Sequence, residues 1–197
     1  MEGERLEEVS EQKDLGITIS NDLKPSTHIN YITKKANQRC GMIRRCFTNL
    51  SPLKVSILYK SIIRPIIETN STVWNPWMRK DIELLDKAQR RAERLSTVPI
   101  KFDSLSDRRR RTDLRETYKF MEGKYKTDSG LYFTKNERGL RGHSKKLQKN
   151  YSRTDIMQQF FANRVVKDWN NLREETVSAP SLAVFKERLR EERRNHC

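Results

Sequence analysis

The 197-residue chain carries 41 Lys plus Arg against 26 Asp plus Glu, a formal charge of +15, with 34% charged and 35% hydrophobic residues. Mean hydropathy is −0.90, and the strongest apolar stretch, Ile62-Ile63-Arg64-Pro65-Ile66-Ile67, is interrupted after two residues. A membrane-spanning helix, which needs about 20 nearly unbroken apolar residues, is therefore excluded, as are collagen-like and linker compositions.

Residues 1–22 are predicted as a β-hairpin. Leu6 and Val9 precede a polar corner, and Leu15-Gly-Ile17-Thr-Ile19 alternates with the period of a strand. The period then changes. Ile29, Ile32, Ala36, Cys40, Ile43 and Phe47 recur every three or four residues and predict an amphipathic helix of about five turns. Its opposite face carries Lys34, Lys35, Arg39 and Arg45. Ser51-Pro52 predicts a second helix start, a hydroxyl cap followed by proline at the first helical position. Val55, Leu58, Ile62 and Ile66 form its stripe, and Pro65 is expected to end or kink it by removing a hydrogen bond.

Trp74-Asn75-Pro76-Trp77 reads as a turn whose indoles seal neighbouring helices. A third helix is predicted over about 79–95, with Ile82, Leu85, Ala88, Ala92 and Leu95 inward and Lys87, Arg90, Arg91 and Arg94 outward. Past Val98-Pro99 the pattern weakens until Arg108, Arg109, Arg110 and Arg111 lead into Leu114, Tyr118 and Met121, a short fourth helix. Residues 125–153 lack a period and are read as a basic loop or mobile segment. Seven Lys or Arg face one Glu between Thr134 and Arg153. Helical spacing returns at Ile156, Phe160 or Phe161, Val165, Trp169 and Leu172, and a last helix follows Ser178-Ala-Pro-Ser181.

The expected fold is thus mainly α, a helical array with a small N-terminal β-hairpin. It divides into 1–22, a helical region over 26–124, the basic loop 125–153 and a C-terminal helical region over 154–197. Cys40, Cys46 and Cys197 make no disulfide framework, and the acidic N-terminus lacks the apolar core of a secretory signal. A nuclear or cytoplasmic, non-secreted protein is expected.

The histidines His28, His143 and His196 are far apart, and no Cys-x-x-Cys or His-x-x-x-His spacing occurs, so a structural metal is not expected. No nucleophile–base signature or phosphate-cradling loop is present. Acids are scattered singly or alternate with cations, which suits surface ion pairs rather than a two-metal nucleotidyl-transfer centre. The excess of positive charge points instead to a polyanion. Candidate nucleic-acid-binding residues are Lys34, Lys35, Arg39, Arg90, Arg91, Arg94, the run Arg108 to Arg111, Arg138, Arg141, His143, Lys145, Lys146, Arg153 and Arg164. Such residues neutralise backbone phosphates and release counterions. Tyr132, Phe133 and Tyr151 could stack on unpaired bases or pack in the core.

Several stretches together resemble one family. Lys13-Asp-Leu-Gly-Ile-Thr-Ile19, Lys34-Lys-Ala-Asn37 and Gly41-Met-Ile-Arg-Arg-Cys-Phe47 are followed by Leu58-Tyr59-Lys60, Arg64-Pro65, Val73-Trp-Asn-Pro76, Asp81-Ile-Glu-Leu-Leu85 and Gln89-Arg-Arg-Ala92. Asp113-Leu-Arg-Glu-Thr-Tyr-Lys119, Arg138-Gly-Leu-Arg-Gly-His-Ser144, Phe160-Phe-Ala-Asn-Arg164, Trp169-Asn170 and Ser178-Ala-Pro-Ser181 with Phe185-Lys186 continue the series. In order and spacing they resemble the region after the palm of non-LTR (LINE, jockey-type) retrotransposon reverse transcriptases. The stretch between Leu95 and Leu114 is shorter than in that family, and Leu172-Arg173 stands where Leu-Pro is usual.

The resemblance implies a non-catalytic C-terminal fragment of an RNA-directed DNA polymerase. Residues 13–19 would form the hairpin near the primer terminus, and the thumb-like helices after it would hold RNA, DNA or an RNA–DNA hybrid by its backbone. The catalytic aspartates and their magnesium would belong to a palm preceding Met1. The missing palm and fingers are possible partners; no cofactor, membrane or small-molecule substrate is expected for this chain. The alternative is a protein-interaction module or an inactive transposon remnant.

Overall fold

A computed structural model describes residues 8–136 and 142–194. It is mainly helical with a small N-terminal antiparallel hairpin, as expected. The chain divides into two compact units, Met1–Leu105 and Ser106–Cys197. The helical region expected over 26–124 is therefore split, and residues after 105 group with the C-terminal part.

In the first unit, β1 (Glu11–Asp14) pairs with β2 (Ile17–Ser20) in the register Glu11↔Ser20 to Asp14↔Ile17. The two-residue loop between them, Leu15-Gly16, has positive φ at both positions (46° and 84°), the tight hairpin turn whose twist matches the strands. Two strands alone are marginal in water, and this pair is held by the next helix, α1 (Ser26–Cys46). Ile17 is buried, and the Thr18 N–H donates to His28 Nδ1 at 3.2 Å. The His28 ring in turn lies 5.3 Å from that of Trp74.

α1 buries Ile29, Ile32, Ala36, Cys40 and Ile43, the expected stripe. Phe47 departs from it: the chain turns extended there (φ −130°), leaving the ring half exposed. Ser26, at the start of α1, donates to the buried Asp81 carboxylate at 2.8 Å, so one acid ties α1 to α5 (Arg79–Glu93). Leu85, Ala88 and Ala92 of α5 complete that contact, with Ile82 and Leu95 half-buried.

Between α1 and α5 lies α2 (Pro52–Leu58), whose Ser51 cap residue makes no side-chain cap bond. Pro65 does not end this helix. A π turn over Tyr59–Ile63 leads into α3 (Arg64–Glu68), with the Arg64 N–H donating to the Tyr59 carbonyl five residues back. Widening the turn just before the proline relieves the crowding of its ring against the preceding turn and tolerates a residue without an N–H. The short α4 (Ser71–Trp74) follows, and the Trp74 indole donates to the Thr69 carbonyl at 2.7 Å. Trp74 is buried and Trp77 half-buried. The irregular residues after α5 are pinned by Phe102 stacked on Tyr59 at 3.9 Å, and by Gln89, which accepts from the Tyr59 hydroxyl and donates to the Asp103 carbonyl.

The second unit contains most of α6 (Leu105–Met121), a 3₁₀ turn at Ser129–Leu131, a strand pair β3 (Thr134–Lys135) and β4 (Leu147–Gln148), and four more helices. These are α7 (Asp155–Gln159), α8 (Phe161–Asn170), α9 (Glu174–Val177) and α10 (Leu182–Arg194). Trp169, Tyr118, Phe185, Leu114 and Leu147 are its fully buried anchors. The segment expected to be a loose basic loop is fastened at several points. Trp169 Nε1 donates to the Lys145 carbonyl at 2.8 Å, and the Asn170 amide takes both backbone groups of Leu147 at 2.9 and 2.8 Å. The helix expected across 156–172 is broken at Phe160 (ψ 142°), with Thr154 capping α7 through the Met157 N–H.

Arg164 of α8 makes a two-pronged pair with Asp113 of α6 at 2.9 and 3.0 Å, the side chains 10% and 7% exposed. Burial pushes the Asp113 carboxyl up, opposed by Arg164 and then Arg109. Asp113→Ala would strand a buried guanidinium and is expected to destabilise by about 3–5 kcal/mol in urea denaturation, with Asp113→Ala/Arg164→Met recovering most of the loss. A second expectation concerns pH. Burial, and then Lys13, lowers the His28 pKa below 6.5, and burial does the same at His143. Below about pH 6.5 the unfolded chain takes up protons that the folded chain refuses. Stability is therefore expected to be flat above that pH and to fall below it, by up to about 1.4 kcal/mol per pH unit for each histidine. His28→Asn, which keeps an acceptor for Thr18, together with His143→Gln should flatten the fall between pH 6.5 and 5; an unchanged slope would refute the assignment.

Candidate nucleic-acid interface

The same period that buries Ile29, Ile32, Ala36, Cys40 and Ile43, together with the polar His28 and Thr33, sends the lysines and arginines of α1 to the outside. There it forms three adjoining grooves. One of about 600 Å³ runs along α1 past Tyr31, Lys34, Lys35, Gln38, Arg39, Met42 and Arg45. A second, also about 600 Å³, shares Lys34, Gln38 and Arg45 with it, and adds Asn30, Thr33, Asn37, Gly41 and, from α5, Arg91. The third, about 350 Å³, lies between α1 and α5 and is lined by Asn37, Cys40, Gly41, Arg44, Lys87, Arg91, Arg94 and Leu95. Shared residues join the three into one track.

Eight cations line this track: Lys34, Lys35, Arg39, Arg44, Arg45, Lys87, Arg91 and Arg94. No carboxylate does, and none of the eight is ion-paired among the described residues. Local electrostatics favours the placement, because Arg44 and Arg45 sit in the last turn of α1 and Arg91 in the last turn of α5, where the helix dipole is negative. Arg91 also acts on the buried Cys40: burial raises the thiol pKa and the guanidinium opposes it. The exposed Tyr31 ring has one cation over it, Lys13 Nζ, 5.2 Å from its centre.

The candidates of the first unit are thus brought together, apart from Arg90, which is exposed on α5 but outside the groove linings. Those of the second unit are not. Arg164 is corrected from phosphate contact to core ion pair, its guanidinium held by Asp113 and the Gln159 carbonyl. Arg109 is buried in its unit, 3% exposed. His143 is also buried, with Nε2 donating to the Trp169 carbonyl at 2.9 Å in the neutral ring that burial favours. Arg110 pairs with Asp168 at 3.0 Å and Lys145 with Glu122. Arg108 and Arg111 are half-buried, the latter donating to the Asp107 carbonyl, and Lys146 is half-buried as well. Arg153 is exposed, and Arg138 and Arg141 fall outside the described residues.

Of the aromatics weighed as base-stacking groups, Phe133 belongs to the core and Tyr132 packs on Phe120 at 5.3 Å, whereas Tyr151 is 88% exposed. Among the described residues no group of three or more His, Cys, Asp or Glu could hold a metal ion, and no helix is long and apolar enough to cross a membrane.

Arg44, Arg45 and Lys87 were not among the candidates, although a simple signal marks two of them: from Leu23 to Ile67 the sequence contains no Asp or Glu. An acid-free stretch that folds as an amphipathic helix has no carboxylate of its own three or four residues away to compensate its charge. In comparisons with known proteins, no family model, no curated protein and no solved structure matches the chain.

Proposed function

We propose that this chain binds nucleic acid without catalysing its synthesis, gripping the phosphate backbone along the α1–α5 track of its first unit. The observation that carries the reading is the track of eight lysines and arginines with no carboxylate in its lining. Cations kept apart from acids within a fold are poised for an external anion, and a row of them suits a row of phosphates better than a single small ion. The resemblance to the post-palm region of non-LTR retrotransposon reverse transcriptases supports a template–primer, RNA paired with DNA, as the duplex held. In that reading the nucleotidyl-transfer carboxylates and their magnesium belong to the palm, and this chain supplies grip. Backbone contact gives little sequence preference.

A second reading, as a protein-interaction module, draws on one observation: α2 exposes Leu53 and Ile57, one turn apart and 71% and 58% accessible.

The span from Lys34 to Arg45 is about 16 Å of helix, comparable to about five phosphates of one duplex strand. Contacts of that number should weaken binding to an RNA–DNA hybrid about 500-fold between 50 and 200 mM salt. Arg45→Glu/Arg91→Glu is expected to lose at least tenfold in affinity at 100 mM salt in fluorescence anisotropy. Arg110→Ala, whose charge already faces Asp168, should stay within about twofold. Binding that ignores salt, or that responds to Arg110 and not to the α1–α5 pair, would overturn the proposal and favour the interaction module.

A further inference from the structure

Gly41 sits well inside the 21-residue helix α1, five residues before its end. Glycine is the least favourable residue at such a position apart from proline, so its presence calls for a reason. Conformation does not supply one, since Gly41 is an ordinary α-helical residue and lies outside the positive-φ positions. Packing does not either. A Cβ placed there would meet only Arg45 Nη1 at 3.6 Å, an ordinary contact with the end of a flexible side chain.

What Gly41 does have is a place in the track. It lines both the second and the third groove, with Arg45 in the second, Arg44 in the third and Arg91 in both. The missing side chain leaves a strip of bare helix backbone between guanidiniums, beside the amide of Asn37. Space bordered only by the flexible end of the Arg45 side chain, and ringed by positive charge that is unpaired among the described residues, fits an anionic chain that must come close.

We infer that Gly41 is the point of closest approach of a phosphodiester strand to this protein: the strand crosses α1 at Gly41, between Arg45 and Arg91, and a side chain there would hold it off. The inference rests on the nucleic-acid reading above and adds where the strand lies. Close approach matters because the attraction between opposite charges falls with separation and is screened by salt within about 10 Å.

The test is a pair of variants of the full chain, Gly41→Ala and Gly41→Leu, measured for melting temperature and for binding a fluorescein-labelled RNA–DNA hybrid at 100 mM salt, with Arg91→Glu alongside. Gly41→Ala is expected to melt about 2–4 °C higher, as a better helix former with room for its methyl group, yet to bind severalfold more weakly. Gly41→Leu should lose at least tenfold in affinity with helicity retained by circular dichroism. A protein that gains stability while losing its ligand separates obstruction from unfolding. If the unmodified chain binds and Arg91→Glu weakens it, while both Gly41 variants bind as the unmodified chain does, this inference fails and the nucleic-acid reading stands. If the unmodified chain shows no salt-sensitive binding, both fail. Loss confined to phosphatidylserine vesicles, with hybrid binding untouched, would also overturn it.

Discussion

The feature on which the first unit depends is the apolar stripe of α1. It packs against α5 and α3, carries the hairpin through Ile17 and the His28–Thr18 bond, and by its period decides which residues remain outside. An amphipathic helix separates residue types by face whatever their charge. Here the residues left over happen to be basic and amide side chains, because no acid occurs between Leu23 and Ile67. Core formation and the cationic surface are therefore two results of one pattern, and neither can change register without the other.

The second unit treats its charge differently. Arg164, Arg110, Lys119 and Lys145 each face a carboxylate of the same unit. The buried Arg164–Asp113 pair joins α6 to α8 with directional bonds and adds specificity to the packing of Trp169, Tyr118 and Phe185. A formal charge of +15 spread evenly over the chain would suggest a uniformly sticky surface. The folded chain instead pairs these four cations internally and, among the described residues, leaves the eight cations of the α1–α5 track without an ion pair.

Much of the fold was legible in periodicity. The helices α1, α5 and the final one follow from the spacing of three and four, since burial of one face dominates their energetics. The hairpin exists where expected, but its turn is Leu15-Gly16, inside the alternating stretch, and the polar corner before it is the fully exposed strand β1. The failures have separate causes. Pro65 is expected to end or kink a helix; a π turn just before it absorbs the absent donor and lets the helix run on, a local adjustment that composition does not reveal. The segment after Tyr125 looked unstructured because its fastenings are side chains distant in sequence, the Trp169 indole and the Asn170 amide. Single positions in the site were harder still. A lysine or arginine in a basic stretch reads the same whether a partner carboxylate lies 3 Å away or not. Arg164 and Arg91 are indistinguishable by residue type, and only the tertiary placement of Asp113 sets them apart. The absence of acids near α1 was the one part of that distinction written locally.

The hairpin turn has its own implication. Leu15 adopts a left-handed backbone conformation that asparagine or glycine would fill at less cost, and its side chain is 85% exposed. Replacement by asparagine, which tolerates that geometry, would relax the turn and remove an exposed apolar residue while leaving the β1–β2 pairing intact.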